Sequence, residues 1–260
     1  MRPVVLTIAG SDPSGGAGLQ ADLKTFHAHG AYGEAVVSLL TVQNSVGVRE
    51  VVPVEAALIG RQLEALFDDI PPRAAKTGAL PDAATVECVS RAFAGRRVPL
   101  VVDPVCVSTS GHRLGSTEVV IALREVLLPL ADLVTPNLTE AALLTGMQVE
   151  TPRQAREAAE RLVDMGAAAA LVTGGHLSGA ATDWLAMPSG SYAFEGPRIA
   201  TRHTHGTGCA YSAAIACRLA RGETTLDAVA GAKRWLTEAI RQAPGLGAGH
   251  GPVSFFVSTD

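Results

Sequence analysis

The chain has 260 residues, 47% of them hydrophobic, and a formal net charge of −4. That length can bury a sizeable core without staples or metals, and an acidic balance with no Lys/Arg cluster among aromatics argues against a nucleic-acid partner. Four cysteines, Cys88, Cys106, Cys209 and Cys217, lack CxxC spacing and the density of a disulfide scaffold, which argues against a stapled secreted domain and a structural zinc site.

The first apolar run, "PVVLTIA", is too short for a signal peptide and breaks at "SDP". No run is long enough for a membrane span, so a cytoplasmic protein is expected. This run reads as a strand that enters the glycine-rich stretch "GSDPSGGAG", residues 10–18, and then a helix, "AGLQADLKTFHAHG". A second strand, "AVVSLLTV", ends at Gln43 and Asn44, and two helical segments follow, "EAALIGRQLEALFDD" and "DAATVECVSRAFAG". The strand "VPLVVD" ends in Asp103, and "ADLVTP" runs into Thr135, Pro136 and Asn137. "TPRQAREAAERLVDMG" starts at a Thr cap and Pro and stops at Gly, and "AALVT" then leads to Thr173, Gly174, Gly175 and His176. "ATDWLAMPSGSYAFE" reads as a late hairpin, and two helices near 207–220 and 224–241 close the chain. With no linker or repeat, residues 1–260 are expected to form one α/β domain, a central mostly parallel sheet with helices on both faces.

In such sheets ligands bind beyond the carboxyl ends of the strands. Any one polar strand end could merely terminate its strand, but five in succession favour a shared crevice. Glycines 15, 16 and 18 allow close approach of the main chain to a small ligand, without the Walker or dinucleotide spacing. Asp22 borders the apolar stripe of its helix; it reads either as a helix-start charge or as a ligand contact. "HGTGC" before the small apolar "AYSAAIACRLA" reads as a glycine loop entering a helix N-terminus. There the amides of Gly206, Thr207, Gly208 and Cys209 are expected to converge on an anion, and the helix end to favour a thiolate at Cys209. The other three cysteines read as small buried hydrophobes.

The stretches "TIAGSDPSGGAGLQADLKTFHAHGAYG", "VQNSVGV", "KTGAL", "VVDPV", "LVTPNLTEA", "TGGHLSG" and "HGTGCAYSAAIA" together resemble the hydroxymethylpyrimidine/phosphomethylpyrimidine kinases of the ribokinase-like superfamily, over about residues 4 to 241. The resemblance implies a ribokinase-like three-layer fold and two ATP-dependent phosphorylations in thiamine biosynthesis. The first is on the 5-hydroxymethyl group of 4-amino-5-hydroxymethyl-2-methylpyrimidine and the second on the resulting monophosphate. It implies Cys209 as the base that takes the hydroxyl proton, with Gly206, Thr207 and Gly208 as the anion hole. Gln43 is implied for the aminopyrimidine edge, with Gly10 and Asp22 as further substrate contacts. Asn137 and Glu140 resemble the superfamily's Asn-x-x-Glu element, which organises magnesium and ATP phosphate through water. Asp103 is implied beside the same metal and phosphates, and Thr173 beside the nucleotide. Relatives suggest a homodimer.

The chain departs from the family pattern at Thr109 and Thr173, where many relatives carry lysine, and at His112, which replaces a common aspartate. Phosphate charge is then left to magnesium and helix amides, which implies that the monophosphate is the poorer substrate. His205, beside the turn, reads as a structural donor. Rival readings are a pyridoxine or pyridoxal kinase of the same superfamily, against which Gln43 argues, and a non-catalytic ligand-binding protein, against which Cys209, Asn137 and Glu140 argue. A thiol hydrolase lacks an assignable histidine and acid partner for Cys209.

Overall fold

A computed structural model describes residues 2–106, 116–175 and 179–259. Thr109, His112 and His176 lie outside the described residues. The sheet runs in the order β3-β2-β1-β4-β5-β6-β7-β8-β9. Its middle is parallel: β1 (Val4–Ser11) lies between β2 (Tyr32–Asn44) and β4 (Ala74–Thr77), and then come β5 (Leu100–Val102), β6 (Leu133–Val134) and β7 (Ala170–Val172). Both edges are antiparallel, β3 (Gly47–Pro53) against β2 at one end, and β8 (Asp183–Met187) with β9 (Gly190–Phe194) at the other. The late hairpin is therefore present as expected. Central strands covered on both faces need continuous apolar runs, and β5, β6 and β7 are buried throughout.

Two helical layers supply the covers. One face carries α1 (Gly18–Ala28), α7 (Thr207–Ala220) and α8 (Thr225–Arg241), packed through Phe26, Ala213, Ile215 and Trp235. The other carries α2 (Ala56–Asp69), α3 (Ala83–Phe93), α4 (Thr117–Ala122, wound on to Leu130), α5 (Leu138–Thr145) and α6 (Pro152–Asp164). Local chemistry sets where these helices begin. Thr151 and Gln154 form a reciprocal capping box with Pro152 at the first turn of α6, and the stripe Ala155, Ala158, Ala159 and Leu162 is then buried. Each large core side chain such as Leu6 or Ile8, fully buried, contributes about 1.5–3 kcal/mol by leaving water.

Two strands are not readable from apolar runs. β3 is an edge strand with no buried residue, and β4 is only "AAKT", four buried residues with a lysine among them. Because β1 sends the chain to β2 on one side and β4 flanks it on the other, a crevice opens at the carboxyl ends of β1 and β4. Away from that crevice Glu34 of β2, opposite Leu6, is only 6% exposed, and neither carboxylate oxygen has a hydrogen-bond partner among the described residues. Burial, helped by the charge of Asp69, raises its pKa to about 7.

Candidate active site

The loop after β1 is built around a residue that the sequence reading passed over as a strand breaker. Asp12, 1% exposed, accepts hydrogen bonds from the amides of Ser14 (2.8 Å), Gly16 (3.1 Å) and Ala17 (2.8 Å) and from the Ser14 hydroxyl (2.7 Å). Its Oδ2 also lies 2.9 Å from His205 Nε2, so one carboxylate ties this loop to the loop before α7. Burial opposes its ionisation, yet bonds from His205, Ser14 and Gln43 hold it well below the usual carboxylate range. His205 is thereby engaged, and Gln43 lies near enough to favour the ionised carboxylate. Gln43 sits half-buried beside a register shift in the β2–β3 ladder.

The two glycine loops touch backbone to backbone. Gly206, the N-cap of α7, has φ +77°, and a Cβ there would run into the Gly16 carbonyl. Gly10 has a packing reason for its identity, since a Cβ would stand 2.6 Å from Leu39 Cδ1. Gly208, by contrast, faces open space. A helix's first amides have no intrahelical acceptor. Here the amide of Thr207 is turned back on Thr204 O (3.3 Å), so among the described residues those left for an anion are on Gly206, Gly208 and Cys209.

Beneath Cys209 lies a charged cluster whose centre is Lys76 of β4, a residue sequence reasoning missed. Its ammonium is fully buried, 3.1 Å from Asp22 Oδ1 and 3.7 Å from Asp103 Oδ2. Thr7 holds the other oxygen of Asp22 at 2.6 Å, and Ser212, one turn after Cys209, donates to Asp103 Oδ2 at 3.0 Å. Burial alone would lower the pKa of Lys76, but the neighbouring acids, Asp22 foremost and Asp103 beside it, outweigh burial and keep the lysine charged. For Asp22 and Asp103 burial is the largest influence and raises both, against the pull of Lys76. Asp22 thus sits inside, facing a cation, and neither starts the helix nor meets solvent.

The expectation of a resting thiolate at Cys209 is corrected. Burial pushes the thiol up to about 12; Lys76 and the Gly18 amide pull it down, while Asp22 and Asp103 add to the rise. The helix end does not outweigh desolvation and two neighbouring acids.

On the far side of Asp103, Asn137 caps α5 and forms a reciprocal box with Glu140, whose oxygens accept from the amides of Asn137 (3.0 Å) and Cys106 (3.3 Å). Glu140 is 3% exposed, and burial, then the charge of Asp103, raises its pKa to about 8. Thr173 bridges to Asn137, its amide on Pro136 O at 3.0 Å, and Asp183 holds the next amide, Gly174, at 3.0 Å. Asp22, Asp103 and Cys209 therefore gather around Lys76, and Glu140 joins the cluster through Asp103, beside Asn137 and Thr173. Two neighbouring buried acids, with the charge of Asp103 raising Glu140, fit a nearby cation, yet no group of three ligating side chains occurs among the described residues, so direct coordination by protein alone is not built here. Among the described residues no helix is long and apolar enough to cross a membrane.

A half-buried thiol at a glycine-loop helix end, opposite paired acids, occurs here on a three-layer sheet, and the phosphomethylpyrimidine kinase family model matches residues 12–254. The chain belongs to that family. It is a phosphotransferase of ribokinase-like fold. It is 46% identical over 253 residues to the hydroxymethylpyrimidine/phosphomethylpyrimidine kinase of Streptomyces coelicolor, covering 96% of this chain and 93% of that one. It is also 46% identical to the thiamine biosynthesis bifunctional protein ThiED of Geobacter sulfurreducens, where it covers 100% of this chain but spans only about half, 53%, of the longer protein. Among solved structures, the pyridoxal kinase of Bacillus subtilis, an ADP complex, superposes with a TM-score of 0.92 at 37% identity, covering 98% of each chain.

Proposed function

We propose that this kinase transfers the γ-phosphoryl group of ATP to the 5-hydroxymethyl group of 4-amino-5-hydroxymethyl-2-methylpyrimidine and then to the monophosphate so formed, in thiamine biosynthesis. The observation that carries the reading is the placement of Cys209 at the start of α7, with open space over Gly208 on one side and the Asp22–Lys76–Asp103 cluster on the other. Gln43 presents a carbonyl oxygen and an amide hydrogen to the 4-amino group and a ring nitrogen, with Asp12 close by. The hydroxyl proton goes to the thiolate of Cys209; because the resting group is a thiol, its own proton must first leave to solvent, a loss that the Lys76 ammonium and the Gly18 amide favour and the charges of Asp22 and Asp103 oppose. The amides of Gly206, Gly208 and Cys209 face the charge that develops on the transferred group. Asp103 and Glu140, with Asn137, would hold magnesium through water, and the ion would supply charge neutralisation to the ATP phosphates. Thr173 lies at the nucleotide end.

The same reading takes residues 1–260 as one cytoplasmic domain that pairs into a homodimer. Leu40, Val42, Val46 and Val52 are exposed on the β2–β3 ribbon and suit such a pairing, which light scattering checks. One observation favours a second reading, a vitamin B6 kinase: the close superposition on a pyridoxal kinase. Steady-state ATP consumption with the hydroxymethylpyrimidine, its monophosphate and pyridoxal separates the two. Preference for pyridoxal would overturn the proposal.

A further inference from the structure

Thr7 on β1 and Lys76 on β4 are register partners, and they take one oxygen each of the same carboxylate, Asp22. On its other side the lysine ammonium faces Asp103 across 3.7 Å, too long for a hydrogen bond, so that link acts through space and depends on where the ammonium sits. Asp22 belongs to α1 and Asp103 follows β5; the phosphoryl-transfer reading gives the first to the alcohol and the second to the phosphates. Cys209 lies within electrostatic reach of all three. A purely structural ion pair needs one carboxylate for one lysine, and such pairs are often replaceable by apolar residues of similar volume. Here one fully buried lysine serves two acids that arrive on different elements.

Resting on the phosphoryl-transfer reading above, we propose that Lys76 is a positioning residue for that reaction. Its ammonium sets the spacing between Asp22 and Asp103 beneath the Cys209 thiol, and so aligns the alcohol with the phosphate that it attacks. No bond to Lys76 forms or breaks. Displacement of reacting groups by about an ångström costs on the order of a hundredfold in rate, which sets the size of the effect to look for.

Steady-state kinetics and pyrimidine titration calorimetry on the unmodified protein, Lys76→Arg, Asp22→Asn and Lys76→Met/Asp22→Asn test the assignment. Lys76→Arg keeps the charge but has a longer, planar head, so kcat should fall about tenfold to a hundredfold while the ATP KM and the pyrimidine Kd stay within about threefold. Adding Lys76→Met to Asp22→Asn removes a positive charge where the negative one has already gone. The double variant should lose about tenfold or more in kcat beyond Asp22→Asn alone, with an unchanged ATP KM, because Asp103 has lost its reference point. Unmodified kcat in Lys76→Arg, or a double variant equal to Asp22→Asn, would overturn the proposal and leave Lys76 as the counter-ion of Asp22. If Lys76→Arg does not fold, the comparison of the double variant with Asp22→Asn decides alone. Absence of turnover of the hydroxymethylpyrimidine by the unmodified protein would sink the substrate reading instead, and the same variants would then be compared on pyridoxal.

Discussion

A thiol held up to about 12 is a poor base at rest and a strong one once deprotonated, so the chemistry at Cys209 turns on the charges around it. Cys209→Ala should lower phosphoryl transfer by about 10²–10⁴-fold while pyrimidine binding persists, measured by single-turnover rates beside calorimetry. Turnover close to the parent's would remove the thiol from the mechanism. On the proposal that Gln43 reads the aminopyrimidine edge, Gln43→Met should cost about 1–3 kcal/mol against the aminopyrimidine, roughly one to two decades in kcat/KM, with pyridoxal use level or raised. A parallel fall in both activities together with a lowered melting temperature would show that Gln43 merely supports its strand. At this scale Cys209 and Gln43 stood out in the sequence because one follows a glycine loop and the other an apolar run, and Glu140 only through the resemblance of "TPNLTE" to an Asn-x-x-Glu element. Lys76 did not, since lysine is by default a surface residue and only its two acids, arriving from residues 22 and 103, explain its burial. Asp12 hid for a similar reason: a residue in "SDP" reads as punctuation until its partner 193 positions away is seen.

The helix starts obey different rules at neighbouring glycines of α7. Gly206→Ala forces a left-handed backbone and meets the Gly16 carbonyl, so the melting curve should show a loss of about 1–3 kcal/mol or more. Gly208→Ala meets nothing, improves helix propensity and should leave stability level or raised while turnover falls, because the methyl occupies the space an anion needs. Loss of stability at Gly208 without loss of activity would reverse that assignment. In β2 the folded-state pKa of Glu34 lies near 7, above the ordinary 4.5, so the folded protein holds the proton more tightly than the unfolded chain. Stability is then present in full below about 4.5 and lost as pH rises through about 7. Glu34→Gln should flatten that fall and add about 1–3 kcal/mol at pH 8, read from denaturant titrations at pH 5 and 8. Helices with strong period and caps, such as α6, were legible with near-final bounds; β3 and β4 were not, one for want of any buried side and the other because four residues with a lysine carry no strand signature.

Across the whole molecule, the alternation of apolar runs and amphipathic segments sufficed for a layered sheet, but not for which side of β1 each strand takes, and that order makes the crevice. Thr173, fixed between Pro136 and Asn137, brings no charge to the end of the crevice proposed for the nucleotide, so the anionic monophosphate should be used less efficiently than the free alcohol, and Thr173→Lys should narrow the gap. Equal kcat/KM for both acceptors in the unmodified protein would show that other cations compensate. The knot at Asp12 has a bearing on engineering. Because a single carboxylate gathers the amides of one glycine loop and the imidazole of the other, with Gly206 moulded against the Gly16 carbonyl, the two loops form one mechanical unit written in two distant stretches of the sequence. Chimaeras that transplant residues 10–18 from a relative should fold and work only when the 203–209 segment travels with them.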